Sequence, residues 1–251
     1  MLDGHRAIVE SHDAFIAVRT PSNPGYFFGN YLLFDRAPRV GDADRWSAAF
    51  ERIFAADANV RHAAFAWSID DSPGAIDEFV SRGYTFQEAA VLTAREVQRF
   101  DAAPELVIRP LRSDADWDAQ LALGLANREE QYEADAYARF KARQVAHHRH
   151  LAQTLGVWLG AFDGEQLAGS CGIFATEEGI ARYQDVGVLP QYRNRGIARS
   201  LLGHAARYAA QYLRAQRFVI VADAHDFPRK LYERAGFTLQ EREGALWIAR
   251  R

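Results

Sequence analysis

A chain of 251 residues with 49% apolar and 25% charged side chains can bury a substantial core, as one large domain or two small ones. Its formal net charge of −3, without a run of lysines and arginines, gives no electrostatic case for nucleic acid. No stretch is long and apolar enough to span a bilayer, and residues 1–6 lack the apolar core of a signal peptide, so no membrane association and a cytoplasmic location are expected.

In chain order, the first feature is the aromatic, turn-rich segment 25–31, which fits either a pocket lining or the core around a strand. Next, the stretch 38–44 leads into a predicted helix over 45–56, with Trp46, Ala49, Phe50 and Phe54 on one face. Asp42 and Asp44 read as caps of that helix, and they would repel a diphosphate at the same place. A strand over 63–67 and a helix over 74–82 follow. The sequence Gly83-Tyr84-Thr85-Phe86-Gln87-Glu88 then reappears, with two conservative exchanges, as Gly236-Phe237-Thr238-Leu239-Gln240-Glu241 at an offset of 153. Phe79 falls opposite Tyr232 in the same register, and Thr93-Ala94-Arg95 matches Ile248-Ala249-Arg250 after a shift of two. We read a tandem repeat, with a degenerate first copy over 1–100, a linker at 101–104 and a complete second copy over 104–251. The first copy is expected to have lost cofactor binding, to pack against the second and to wall its acceptor pocket.

The second copy opens with a strand over 106–110 and helices over 115–127 and 136–155. Between the helices lies the acidic run 129–135, which reads as a solvated loop or as a preference for a cationic acceptor. His147, His148 and His150 read as solvent-facing helix residues. Only His147 and His150 share a helical face, and no carboxylate or thiol completes a tetrahedron, so no metal is expected. Strands over 156–162 and 166–176 flank a turn at 163–165; the second contains the lone Cys171, expected to pack as a small apolar residue and consistent with a reducing compartment.

The strand 182–189 runs into Pro190 and a basic turn, and from Gly196 the apolar residues Ile197, Leu201, Leu202, Ala205, Ala206, Ala209 and Tyr212 recur at the spacing of one buried helical face. A helix that starts there offers unpaired N–H groups and the positive end of its dipole to a phosphate. Gly196 and Ala198 are small enough for a diphosphate to approach, while Arg193 and Arg195 add full charge. A short buried strand over 218–222 and the segment 231–237 (Leu-Tyr-Glu-Arg-Ala-Gly-Phe) follow.

Val188, Pro190, Arg193, Gly196 and Ala198 fill a Val-x-Pro and Arg-x-x-Gly-x-Ala pattern that resembles motif A of the GCN5-related N-acetyltransferase (GNAT) superfamily, and 231–237 resembles its motif B. The resemblance runs from about residue 106 to the C-terminus. It implies an α/β (α+β) fold, two GNAT-like domains in tandem, each a mixed central sheet flanked by helices, in the order βααβββαβαββ for the second copy. It further implies that two parallel strands splay apart to admit the pantetheine arm of coenzyme A. Val186, Gly187 and Val188 would then line the arm with main-chain groups, and the Val188 N–H would donate to the thioester carbonyl as charge develops on its oxygen. Arg193, Asn194, Arg195, Gly196, Ile197 and Ala198 would hold the diphosphate. Tyr232 stands where family members often carry the tyrosine that protonates the departing thiolate, although an apolar helix face beside Leu231 and Ala235 also suits a core tyrosine. Seven positions before it the family usually has an asparagine that contacts the cofactor; here stands His225, followed by Asp226, and either can hydrogen-bond an amide or hydroxyl. Candidates for a general base are Asp185, Glu177 and Glu178, and a bulge in the strand would decide which face Asp185 takes.

The resemblance therefore implies an acyl-CoA-dependent N-acyltransferase that carries acetyl from acetyl-CoA to a small-molecule amine or a peptide by direct attack. The alternative from another class is a non-catalytic acyl-CoA sensor of the same fold. A nucleotide-binding reading of the cradle lacks the Gly-x-x-x-x-Gly-Lys-Ser/Thr pattern.

Overall fold

In chain order the elements are β1 (Ile8–Ser11), β2 (Phe15–Arg19), β3 (Tyr31–Phe34), α1 (Asp42–Phe54), β4 (His62–Ile69), α2 (Asp77–Ser81) and β5 (Thr85–Ala94). They continue with β6 (Leu106–Pro110), α3 (Asp114–Ala126), α4 (Ala134–Thr154), β7 (Gly156–Asp163), β8 (Gln166–Glu177), β9 (Ile180–Val188), α5 (Ile197–Tyr212), β10 (Arg217–Asp223), α6 (Phe227–Arg234) and β11 (Thr238–Ala249). The computed structural model describes residues 7–98, 100, 105–130, 132–225 and 227–250. The expected linker at 101–104 lies outside the described residues, as do Gln131 and Asp226. The described residues of 2–91, 222–229 and 239–251 form one compact unit, and those of 92–221 and 230–238 a second.

The first unit is built on the strand order β1-β2-β3-β4-β11-β5. β3 and β4 run parallel, with Leu32 opposite Phe65, whereas β11 lies antiparallel along the whole of β4, from Arg242 opposite Ile69 to Ala249 opposite His62. Its core is aromatic. Trp46 of α1 lies flat on Phe34, ring centroids 3.7 Å apart, and meets Phe65 and Trp67 edge-on, a set that removes a large apolar area from water. The aromatic segment 25–31 joins this core: Phe27–Gly29 makes a 3-10 turn, and the Phe27 ring stacks on buried His62 at 4.4 Å. Neither Asp42 nor Asp44 caps α1 as expected. Gly41 holds the cap position, and buried Asp42 instead takes Arg36 at 2.6 Å and Arg45 at 2.7 Å, while Asp44 pairs with Arg82. Two nearby guanidiniums bind a carboxylate more strongly than orphan N–H groups do.

The second unit contains the order β10-β9-β8-β7-β6, antiparallel except for β9 beside β10. α3 and α4 cover one face, where Trp117, Leu123, Val145 and Leu151 pack on Trp158 and Phe174. α5 covers the other, and the Tyr183 hydroxyl of β9 donates to Leu202 O there at 2.7 Å. α3 starts in a capping box, with Ser113 Oγ accepting from Asp116 N–H and the Asp116 carboxylate accepting from Ser113 N–H. Three expectations are corrected here. The two closing strands of the predicted order are one strand, β11. Tyr212, expected on the buried face of α5, is exposed in the last turn of that helix. And His148 is not solvent-facing: it is buried and stacks on Trp158 at 4.5 Å, since it continues the stripe Lys141, Gln144, Val145, His148, Leu151 that faces the sheet.

Candidate functional site

After Val188 the chain leaves the sheet through a 3-10 turn, Pro190–Tyr192, and enters α5 by way of two left-handed residues, Asn194 (φ 64°) and Gly196 (φ 75°). Gly196 is needed for that backbone conformation rather than for want of room, because a Cβ there would meet nothing within 4 Å. The first helical bond at this end is Ser200 N–H to Gly196 O, 3.0 Å, so the N–H groups of Ile197, Ala198 and Arg199 are left for an outside acceptor. Arg193, Asn194 and Arg195 are exposed around them. Arg193 is tied back by a 2.7 Å bond to Asn127 Oδ1 at the end of α3, and Arg195 lies over the Tyr192 ring. Together these groups make a basic, donor-rich rim at a helix start, the chemistry that binds phosphate oxygens.

The strand that leads to this rim has a free edge. β9 pairs with β10 only at Ile180–Arg182 against Arg217–Val219; beyond that the described residues of the two strands are not paired. On its other side β9 bonds to β8, and Leu189 N–H donates to Ala168 O at 2.9 Å. Because successive N–H groups of a strand point to opposite edges, the N–H groups of Val188 and Val186 point toward the open side. A bulge interrupts the β8 pairing: Gly172 opposes Gln184 and Ser170 opposes Gly187, so Asp185 and Val186 share the single residue Cys171. Asp185 has φ 50°. Strict alternation would set it on the α5 face with Tyr183; the bulge turns it to the α4 face, where Lys141 Nζ lies 2.5 Å from its Oδ2.

Tyr232 on α6 is 6% exposed, with its ring edge-on to Phe237. Burial above all, with the nearby Cys171 and the Asp185 charge, raises its phenol above the ordinary value. Cys171 is fully buried and its thiol is pushed up to about 12 by burial, which leaves it packed and unreactive. Burial pulls the Asp185 carboxyl upward, but Lys141 and His148 outweigh it and hold the group below the usual carboxylate value. Glu177 and Glu178 are exposed at the far end of β9, roughly 25 Å from Val188 by strand rise, too far to take a proton from anything bound there. His225 falls in the 222–229 segment of the first unit and points its ring toward Glu88, 3.6 Å away. Sequence reading passed over Lys141, Gln144 and Asn127. Lys141 carried a signal, because it stands in helical register with Val145, His148 and Leu151, and a lysine inside an apolar stripe calls for a buried partner. Among the described residues no three His, Cys, Asp or Glu gather to hold a metal ion, and no helix is long and apolar enough to cross a membrane.

The first unit contains the same kind of turn, already filled. Gly41 is left-handed (φ 82°) at the start of α1, and its N–H donates to both carboxylate oxygens of Glu78, at 3.0 and 2.9 Å. Beside it Ala75 N–H donates to Pro38 O at 2.7 Å.

Residues 117–237 match the family model described as the acetyltransferase (GNAT) family. No curated protein matches the chain. Among solved structures, a conserved protein of unknown function from Staphylococcus epidermidis aligns over 98% of this chain and 95% of its own, with a TM-score of 0.76 at 16% identity. A GCN5-related N-acetyltransferase from Kribbella flavida aligns over 98% and 91%, with a TM-score of 0.65 at 14% identity. A tandem GNAT protein from the clavulanic acid biosynthesis pathway aligns over 97% and 83%, with a TM-score of 0.56 at 13% identity. At these identities the likeness is one of fold, and it extends over almost the whole chain.

Proposed function

From the premise that the C-terminal half of this chain belongs to the GNAT superfamily, whose acetyltransferases use acyl-CoA, we propose that the protein transfers acetyl from acetyl-CoA to a primary amine by direct attack, without a covalent enzyme intermediate. The observation that supports this most is the unpaired edge of β9 ending at the donor-rich start of α5. An extended arm laid along 186–188 can pair with the strand as an added strand does. The diphosphate would then lie against the N–H groups of 196–198 with Arg193, Asn194 and Arg195 around it. The Val188 N–H, aimed at the open side, stabilises the oxyanion formed when the amine attacks.

Tyr232 supplies the proton that the departing thiolate needs; burial keeps its phenol protonated throughout the physiological range while making it a weaker acid. Asp185 is held as a weakly basic, ionised carboxylate, so the acceptor's proton passes to water rather than to this side chain. Binding and alignment then provide most of the acceleration. The first unit is proposed to hold no cofactor, because the Glu78 carboxylate occupies the place of the anion at Gly41. The test is a screen of amine acceptors that follows the free thiol of coenzyme A. Thiol release with one amine class, lost in Arg193→Glu, supports the reading; tight acetyl-CoA binding with no release across the panel favours the sensor.

A further inference from the structure

A non-glycine residue in the left-handed region carries a conformational cost and persists only where its surroundings hold it. Asp185 is such a residue, at the bulge from which the 186–188 edge departs. What holds it is specific. Lys141 Nζ sits 2.5 Å from Asp185 Oδ2 and 2.8 Å from Gln144 Oε1, and the lysine side chain is only 7% exposed. Its stem reaches the strand by crossing α3 at Gly124: a Cβ on Gly124 would come within 2.4 Å of Lys141 Cε and 3.1 Å of its Cγ. A larger residue at 124 would have to displace the lysine stem.

We propose that Lys141 is a positioning residue for acyl-CoA, pinning Asp185 in the bulge and so aiming the Val186 and Val188 N–H groups at the pantetheine arm and thioester. This rests on the acyl-CoA reading above. A buried lysine with a poorly held partner would move to solvent, the bulge would lose its counter-charge, and the register of 186–188 against Gly169 and Ser170 would relax. The diphosphate rim, whose turn and helix start do not involve Lys141, would stay as it is.

The two halves of coenzyme A separate these effects. Calorimetry on the full chain uses acetyl-CoA and, separately, its nucleotide half, adenosine 3′-phosphate 5′-diphosphate. Lys141→Met is expected to weaken acetyl-CoA by about tenfold, the worth of a hydrogen bond or two, and the nucleotide half by less than about twofold. In Lys141→Met/Asp185→Gly, glycine takes φ 50° without strain and leaves no carboxylate to neutralise, so acetyl-CoA affinity returns to within about threefold of the unaltered protein. If Lys141→Met does not fold, Lys141→Gln takes its place in the same comparison, with the same expected split between the two ligands. Equal effects on the two ligands, no effect on either, or a double variant that binds only the nucleotide half overturns the proposal. Should the unaltered protein bind neither ligand, the acyl-CoA reading fails, and the positioning role with it.

Discussion

Tyr232 is almost fully buried, and its phenol is raised by that burial, so it stays protonated above pH 10. Tyr232→Phe is therefore expected to lower kcat by about a hundredfold while leaving acetyl-CoA affinity unchanged, since only proton donation to the leaving group is removed. Steady-state turnover beside calorimetry checks this; unchanged kcat removes Tyr232 from the chemistry. The rim residues were legible because small and basic side chains at that spacing report a helix start open to anions. Lys141 was harder to see, because its role depends on a bulge and a left-handed Asp185, neither of which leaves a mark on hydrophobic spacing.

At the scale of elements, β4 begins with His62, buried, stacked on Phe27 and 3.0 Å from Asn30 O. Burial first, then the charge of Arg250, lowers its pKa to about 4, against about 6.5 in an unfolded chain. Between those values the unfolded state binds more protons than the folded one, so stability is present above the window and falls as pH drops through it, by up to roughly 3 kcal/mol. Urea unfolding at pH 4.5 and pH 7 should show a smaller pH dependence for His62→Gln than for the unaltered chain; equal dependences would contradict a buried neutral imidazole.

Most elements follow apolar periodicity closely, as in α5, where Leu201, Ala205 and Ala209 mark the buried face. The sheet partner of the last strand does not, because a period-2 pattern says which face of a strand is buried but not which strand lies beside it. β11 lies between β4 and β5 in the first unit. A chain ending at residue 238 is thus expected to lose the packing around Trp46 and Trp67, seen as a red shift in tryptophan emission and fast amide exchange in β4 and β5. Retained protection in those strands would contradict the pairing.

For the whole molecule, the offset repeat and the family motif together predict a duplicated fold with one competent copy, and the proposal that the first copy holds no cofactor rests on a difference between the turns at Gly41 and Gly196. One presents its N–H groups and arginines outward; the other has bound a carboxylate of its own chain. The acyl-CoA account therefore predicts a definite stoichiometry. Titration calorimetry of coenzyme A into the full chain should give one site per chain, and Arg193→Glu should abolish it by placing a negative charge where the diphosphate binds. Two sites per chain, or no heat at millimolar coenzyme A from correctly folded protein, would contradict it.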